Sequence, residues 1–549
     1  MSRLYTAVSG KRPFPPFTSS YLLLLLIMLL GFGLRVHTLD YQSMWSDEGL
    51  SLYRARLPLA DVFANTIIVD GMVTQDTNPP FYFFLLNLWR AAAGESVVAL
   101  RFLGAVLGVL SVPLLYGVGT AVYQRHVGLA AAFLLAISPF HVWQSQILRN
   151  YSLLLTLNLL SLYALIRFAN SQNPQRGKYW LALWAAAGLL GIYTHYFGVF
   201  VFAFSLLALG LFALQRRGMG PLLRQRRVWL LVALTVLVTL PALLFAFNRF
   251  RAGQQVDFAY IPFTRVFNHA LTAFAIGISP TLSKPWPLLL PAAALALLGV
   301  YQGWRVNRTG TLFLLGYQIV PLGLLLLLSL INPLYNGVRH LLIGLPPFLV
   351  FAAAGVGLRS PQANGGKRPF NLGLQLLGWL LFIPVLVLQL DWLHVQFTAP
   401  DLLLDDIRGA ADYLETYAAP DDLIILHDTL IGFVFDYYYD SETPWRAIPL
   451  YDQHAVNQAL PALEEAAAQG QRIWFLVEPT PRNGFPREAL WQWADENWPR
   501  FFERSFPRLW LRVQLNGYIP HPEEAQLPAS AQSIDVTFGE GLHLAGVDL

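Results

Sequence analysis

Two adjacent carboxylates, Asp47 and Glu48, stand in Trp45-Ser46-Asp47-Glu48 just beyond the first long apolar run. A carboxylate fixed near a membrane surface can take a proton from an acceptor hydroxyl, the work of a general base. Solvated loop acids are the plainer alternative. A second group is Ser138-Pro139-Phe140-His141-Val142-Trp143-Gln144-Ser145-Gln146-Ile147-Leu148-Arg149-Asn150-Tyr151, in which Arg149 opens a Leu- and Ser-rich run. An arginine near lipid is costly and usually pairs with something. It either snorkels to headgroups or clamps a phosphate, whose oxygens a guanidinium binds two at a time. The same choice arises at Arg339 and His340, at the end of Asn332-Pro333-Leu334-Tyr335-Asn336-Gly337-Val338-Arg339-His340. Two arginines at one depth would suit a diphosphate or phosphodiester. His195, in Tyr193-Thr194-His195-Tyr196, is a weaker candidate, because a histidine on an apolar segment is more often packed than a ligand. Arg101 has Glu95 within reach for an ion pair. The chain carries no P-loop, no G-x-G-x-x-G after a strand and no His/Asp set at metal spacing. Asp405-Asp406 and Asp421-Asp422 suit helix caps or turns better than a metal.

These residues must be carried by membrane helices. Of the 549 residues, 55% are hydrophobic and 13% charged, about half the roughly 25% charge of a soluble domain. Mean hydropathy is +0.47. Aromatic residues reach 14%, and their amphipathic rings settle at headgroup depth. A net charge of +4 with no basic stripe argues against a nucleic-acid partner. The absence of cysteine excludes disulfides, thiolate zinc sites and cysteine nucleophiles. About eleven apolar runs approach the ~20 residues that cross a bilayer, near 19–38, 97–122, 127–141, 148–168, 178–192, 195–214, 228–247, 286–304, 311–331, 338–357 and 372–392. A leader peptide is the alternative for the first run, which lacks an A-x-A-like site and exceeds an ordinary h-region.

Lys and Arg set the orientation. Alternate loops carry Lys11/Arg12, Arg125, Arg176/Lys178, Arg216 to Arg227, Arg305/Arg308 and Arg359 to Arg368. The expectation is an N-terminus in the cytoplasm and a chain end outside, in a plasma (inner) membrane protein. Two outer loops, near 39–96 and 248–285, are long, and long loops usually do something. In the first, Pro79-Pro80 before Phe81-Tyr82-Phe83-Phe84-Leu85-Leu86 predicts a helix along the interface. After residue 400 the composition changes. Asp405 to Tyr417 has helical period, and Asp422 to Leu426, Arg472 to Val477 and Leu509 to Val513 read as strands, so a small α/β domain is expected. A linker follows from Pro520 to Gln532, and Val536-Thr537-Phe538-Gly539 with Leu542 to Gly546 reads as a hairpin that could begin a further β domain. The divisions are 1–18 cytoplasmic, 19–395 transmembrane, 396–519 α/β, and 520–549 linker and hairpin.

Taken in order, the pieces resemble a known family. A first helix is followed by Asp47-Glu48, then by Pro79-Pro80-Phe81-Tyr82 with Arg101 some twenty residues on. Next come Ser138-Pro139…Gln146-x-x-Arg149-x-Tyr151 and finally Arg339-His340 before a helix holding Pro346-Pro347. Over residues 15–400 this resembles the GT-C fold glycosyltransferases, specifically bacterial relatives of the dolichyl-phosphate-mannose protein mannosyltransferases and the lipid A aminoarabinose transferases. Asp406-x-Arg408-x-Ala410-x-x-Tyr413-Leu414 with Phe435-Asp436-Tyr437-Tyr438 resembles the start of the outer domain of many bacterial members. The resemblance implies a polytopic α-helical GT-C-like protein that moves a sugar, with inversion, from a polyprenyl-phosphate donor to a hydroxyl acceptor on protein, lipid or polysaccharide. It implies Asp47 as catalytic base, Glu48 beside it in the acceptor site, and Arg149, Tyr151, Arg339 and His340 near the donor phosphate. Asn78, Arg101 and His195 would line the cavity. No cofactor and no metal requirement is expected. Two positions depart from the family pattern: Asn78 stands where His or Lys is common, and Arg339-His340 where Arg-Tyr is common. A transporter or lipid flippase without transferase activity is the competing reading.

Overall fold

A computed structural model describes residues 19–69, 72–171, 173–215, 226–251, 260–278, 284–335, 337–358, 372–399, 406–427, 429–448, 453–469, 471–477, 489–506, 513–520, 532–538 and 542–547. Lys11/Arg12, most of the Arg216 to Arg227 cluster, Arg359 to Arg368 and Asp405 lie outside them. The chain divides into two units. One comprises residues 1–42 and 50–403, the other residues 43–49 and 404–549.

The first unit is helical. In chain order it holds α1 (Ser19–Val36), most of α2 (Ser46–Arg56), α3 (Leu59–Ala64), the hairpin β1 (Thr66–Val69) and β2 (Met72–Gln75), α4 (Phe81–Ala93), α5 (Val97–Val122), α6 (Arg125–Ile137), α7 (Pro139–Gln146), α8 (Tyr151–Ala169), α9 (Pro174–Thr194) and α10 (Gly198–Gln215). There follow α11 (Arg226–Arg251), α12 (Phe263–Ala275), α13 (Trp286–Val306), α14 (Arg308–Ser329), a 3₁₀ turn (Val338–Gly344), α15 (Leu345–Gly357) and α16 (Leu372–Thr398). Among the described residues, 8 helices are long and apolar enough to cross a bilayer, or 9 with the bent pair α6–α7. The chain is a polytopic membrane protein. The helix expected after Pro79-Pro80 is α4, with Pro80 as its N-cap.

Eleven spans are expected from the sequence, and the described helices give eight or nine by length and composition. The third run is a bent pair, because α6 has only 13 residues and meets α7 at a 55° angle. Pro139 has no N–H to offer the carbonyl one turn back, and Arg35 takes over that job. Its guanidinium donates to Leu135 O at 3.1 Å and Ala136 O at 2.9 Å, with His141 Nδ1 at 2.6 Å. Runs 178–192 and 195–214 do lie on helices, α9 and α10. However, α9 starts in polar Gln175, Arg176 and Lys178, and the apolar stretch counted in α10 is only Gly198–Phe212. Centrality varies: α8 has 78% of its span buried inside the protein and α1 only 22%. α5 packs on α6 and α8, and α8 on α9.

The second unit is α/β. It contains α17 (Ile407–Tyr417), β3 (Leu423–His427), α18 (Thr429–Tyr438), β4 (Trp445–Ile448), α19 (Gln453–Ala468), β5 (Ile473–Val477), α20 (Ala489–Asn497), β6 (Arg500–Phe506) and β7 (Val513–Tyr518), with the antiparallel pair β8 (Gln532–Phe538) and β9 (Leu542–Val547). Five strands form one sheet in the order β4-β3-β5-β7-β6. β3 runs parallel to β4 and β5, and β7 antiparallel to β5 and β6. β3 and β5 are buried throughout, which is why they read as unbroken apolar runs rather than alternating ones. Asp406 caps α17 through Gly409 N at 3.0 Å. Asp422 closes a turn through Ala419 N at 2.8 Å and pairs with Arg472 at 2.7 Å.

Candidate functional site

In the helical unit, the residues singled out from sequence gather around the link between α7 and α8. Arg149 and Asn150 sit in that link and are buried. The expected outer turn is therefore mostly helix α7, capped by the Ser138 side chain on His141 N. Arg149 Nη1 donates to Ser51 Oγ at 3.2 Å. Asn150 Nδ2 donates to Asn78 Oδ1 at 3.2 Å and to Thr194 O at 2.8 Å. Asn78, Arg149 and the end of α9 thus meet at one place.

His195 follows immediately at the end of α9. Its ring lies 5.6 Å from Tyr151 and 6.1 Å from His340. Phe197 stands edge-on to His340 at 4.7 Å. His195 and His340 each lie close enough to Arg149 and Arg339 to feel both charges. The 3₁₀ turn brings Arg339-His340 into this group, and Tyr335 before it bonds His269 Nδ1 through its hydroxyl at 2.9 Å. Arg149, Tyr151, His195, Arg339 and His340 accordingly form one polar cluster with Asn78 at its edge. Converging guanidinium groups in a poorly hydrated setting bind an anion strongly.

Arg101 behaves differently. Glu95 is held by Arg56 at 2.7 Å and by Arg90, and these two cations hold its carboxyl below the usual range. Arg101 Nη1 donates to Leu39 O at 2.8 Å and Gln42 O at 2.9 Å, beside a small cavity shared with Trp143 and Gln146. It pins the chain leaving α1.

A second centre went unnoticed in the sequence. Arg54 is fully buried and pairs with Asp76 at 2.7 Å. It also donates to Asn65 Oδ1 and, at 3.2 Å, to Asn78 O, and lies 3.6 Å over the Phe83 ring. Asp76 Oδ1 takes Asn78 N at 3.1 Å, an Asx turn leading into Pro79. Arg54 therefore fixes the backbone of Asn78 while Asn150 fixes its side chain. Ser51 and Arg54 stand at i and i+3 along α2, on one face, but that spacing does not name Asp76 as the partner.

Asp47 and Glu48 belong to the second unit. They occupy the first turn of α2, where carboxylates are favoured by the helix dipole. Glu48 is fully buried. Its Oε2 reaches back to Trp45 N at 3.4 Å, half of a capping box. Asp47 is half-buried. Among the described residues, no group of three His, Cys, Asp or Glu could hold a metal.

Comparison with known proteins fits this geometry. A family profile described as dolichyl-phosphate-mannose-protein mannosyltransferase matches residues 77–245, the stretch running from just before Asn78 through Arg149 and His195. ArnT from Cupriavidus metallidurans superposes in its apo state with a TM-score of 0.59 at 13% identity, covering 91% of this chain and 98% of that one. Its form bound to undecaprenyl phosphate gives a TM-score of 0.56 at 13% identity over the same shares. The chain shares its fold with this ArnT. Mouse protein O-mannosyl-transferase 1 is 26% identical over 220 residues, 35% of this chain and 27% of the mouse protein. The chain thus matches about a quarter of that relative's length.

Proposed function

We propose that this protein is a membrane glycosyltransferase that moves a sugar from a polyprenyl-phosphate donor to a hydroxyl acceptor with inversion at the anomeric carbon. The observation that carries the reading is the gathering of Arg149, Tyr151, His195 and His340, with Arg339 next to His340 in the chain, in a fold shared with a protein solved with undecaprenyl phosphate. The donor's tail stays in lipid while its headgroup enters the polar cluster. Asp47 takes the acceptor's hydroxyl proton, and that oxygen attacks the anomeric carbon from the face opposite the phosphate. The C1–O bond to phosphate breaks, and Arg149 and Arg339 stabilise the departing polyprenyl phosphate; Tyr151 and His340 line its place. Such charge stabilisation is usually the largest contribution to rate. Asn78, Arg101 and His195 shape the site without acting on the bonds that change. Glu48 stands beside Asp47 in the acceptor site.

The proposed topology has eleven crossings, with α6–α7 and the short helices α9 and α10 counted in. It sets the N-terminus in the cytoplasm of a plasma-membrane protein and the residues after 396 outside, and rests on the alternation of positive loops. The acceptor is a hydroxyl on protein, lipid or polysaccharide. Asp47→Asn is expected to abolish transfer with folded protein unchanged, and Arg149→Ala to lower the rate by about 10²–10³. The test compares envelope glycans, by mass spectrometry, in wild-type, deletion and Asp47→Asn strains. A deletion strain with unchanged glycans, or a fully active Asp47→Asn protein, overturns the reading.

A further inference from the structure

Ser43–Gly49, the segment that carries Asp47, folds as part of the C-terminal α/β unit although 394 residues separate Met44 from its partner Tyr438. Met44 N donates to Tyr438 Oη at 2.9 Å. Arg408 N donates to Ser43 Oγ at 3.2 Å, and that hydroxyl donates to Met44 O at 2.9 Å. Met44 and Ser43 are buried. Gly49 lies so close to α18 that a Cβ there would stand 2.5 Å from Val434 Cγ2 and 2.9 Å from Val434 N. The Arg408 guanidinium sits 6.0 Å over the Tyr438 ring, a contact between α17 and α18. The contacts fall before and after Asp47, at residues 43, 44 and 49, so they fix the direction in which α2 starts.

We infer that the C-terminal unit is a positioning element for the carboxylate of Asp47, acting through Tyr438, the amide of Arg408 and the close seat of Gly49 on α18. This rests on Asp47 being the general base. A proton acceptor works only within about 2.6–3.2 Å of the proton it takes, and a misplacement near 1 Å can cost about 10²-fold. Tyr438 touches no reacting atom; it is a positioning residue, and its loss should lower kcat and leave the donor KM as it was.

The experiment uses the full chain, which has no native cysteine to interfere. Spin labels at Ser46→Cys and Ser441→Cys report the distance between the start of α2 and the sheet by pulsed electron resonance. Kinetics of sugar transfer are followed in the unlabelled protein. Tyr438→Phe, which removes one hydroxyl, and Gly49→Val are compared with wild type. The inference expects a broadened distance distribution in both variants, with kcat lower by about tenfold in Tyr438→Phe and about 10² in Gly49→Val, and an unchanged donor KM. A distribution as narrow as wild type, or a broadened one with unchanged kcat, overturns it while Asp47→Asn remains inactive. A fully active Asp47→Asn protein sinks the base assignment instead, and the distance data still decide whether the segment is held by Tyr438 and Gly49. Should Gly49→Val not fold, Tyr438→Phe alone decides.

Discussion

At the residue scale, Arg54 is a fully buried cation that no motif singled out. Burial lowers the Arg54 pKa, Asp76 beside it pulls the value back up, and the charge of Arg149 lowers it again. A buried cation is tolerable only while its partners remain. Arg54→Met would strand Asp76, which is 4% exposed, and should cost about 3–5 kcal/mol. Asp76→Asn removes charge but keeps an acceptor for Arg54, so its cost should be smaller. Because the two share one network, the double variant should lose less than the sum of the single losses. Thermal unfolding midpoints of the detergent-solubilised protein check the order; additive losses would mean that Arg54 and Asp76 act separately. Glu48, expected in the acceptor site, also caps α2, its Oε2 accepting from Trp45 N at 3.4 Å.

At the element scale, the helices approach closely where glycine permits it. Lipid offers helices no hydrophobic drive to associate, so small residues that let backbones meet carry much of the packing. α13, α15 and α16 meet at three of them. A Cβ on Gly299 would collide with the Phe351 carbonyl, one on Gly355 would stand 2.5 Å from Leu295 O, and one on Gly378 would run into the Gly355 carbonyl. Backbone atoms cannot swing aside as side chains do. Gly299→Val should therefore cost about 1–3 kcal/mol or more. Gly210→Ala in α10, where a Cβ meets nothing within 4 Å, should be neutral or gain about 0.5–1 kcal/mol from helix propensity. Thermal midpoints of the two variants on opposite sides of wild type would establish the contrast; equal shifts would refute close packing as the cause.

At the scale of the whole molecule, the two units do not follow a single cut in the chain. Residues 43–49 group with residues 404–549. The proposed topology puts residue 441 outside the cell. The chain has no cysteine, so Ser441→Cys on exposed Ser441 gives a single thiol. It should react with a membrane-impermeant maleimide in intact cells. Labelling only after the cells are broken would reverse the orientation.

Sequence alone determined what depends on neighbours along the chain: apolar runs that must be helices, the start of α4 after Pro79-Pro80, buried strands written as continuous Leu423–His427 and Ile473–Val477, and a GT-C resemblance in the order of short motifs. The fold comparison agrees with that resemblance. Tertiary structure decided what depends on neighbours through space. Asn150 meets Asn78 across 72 residues, and Met44 meets Tyr438 across 394. It also decided that Arg35 repairs the break at Pro139, that Arg54 pairs with Asp76, and that Arg101 turns to Leu39 and Gln42 while Glu95 takes Arg56 and Arg90. Periodicity records which face of a helix is buried, not which partner buries it, and an ion pair between distant residues leaves no trace in spacing.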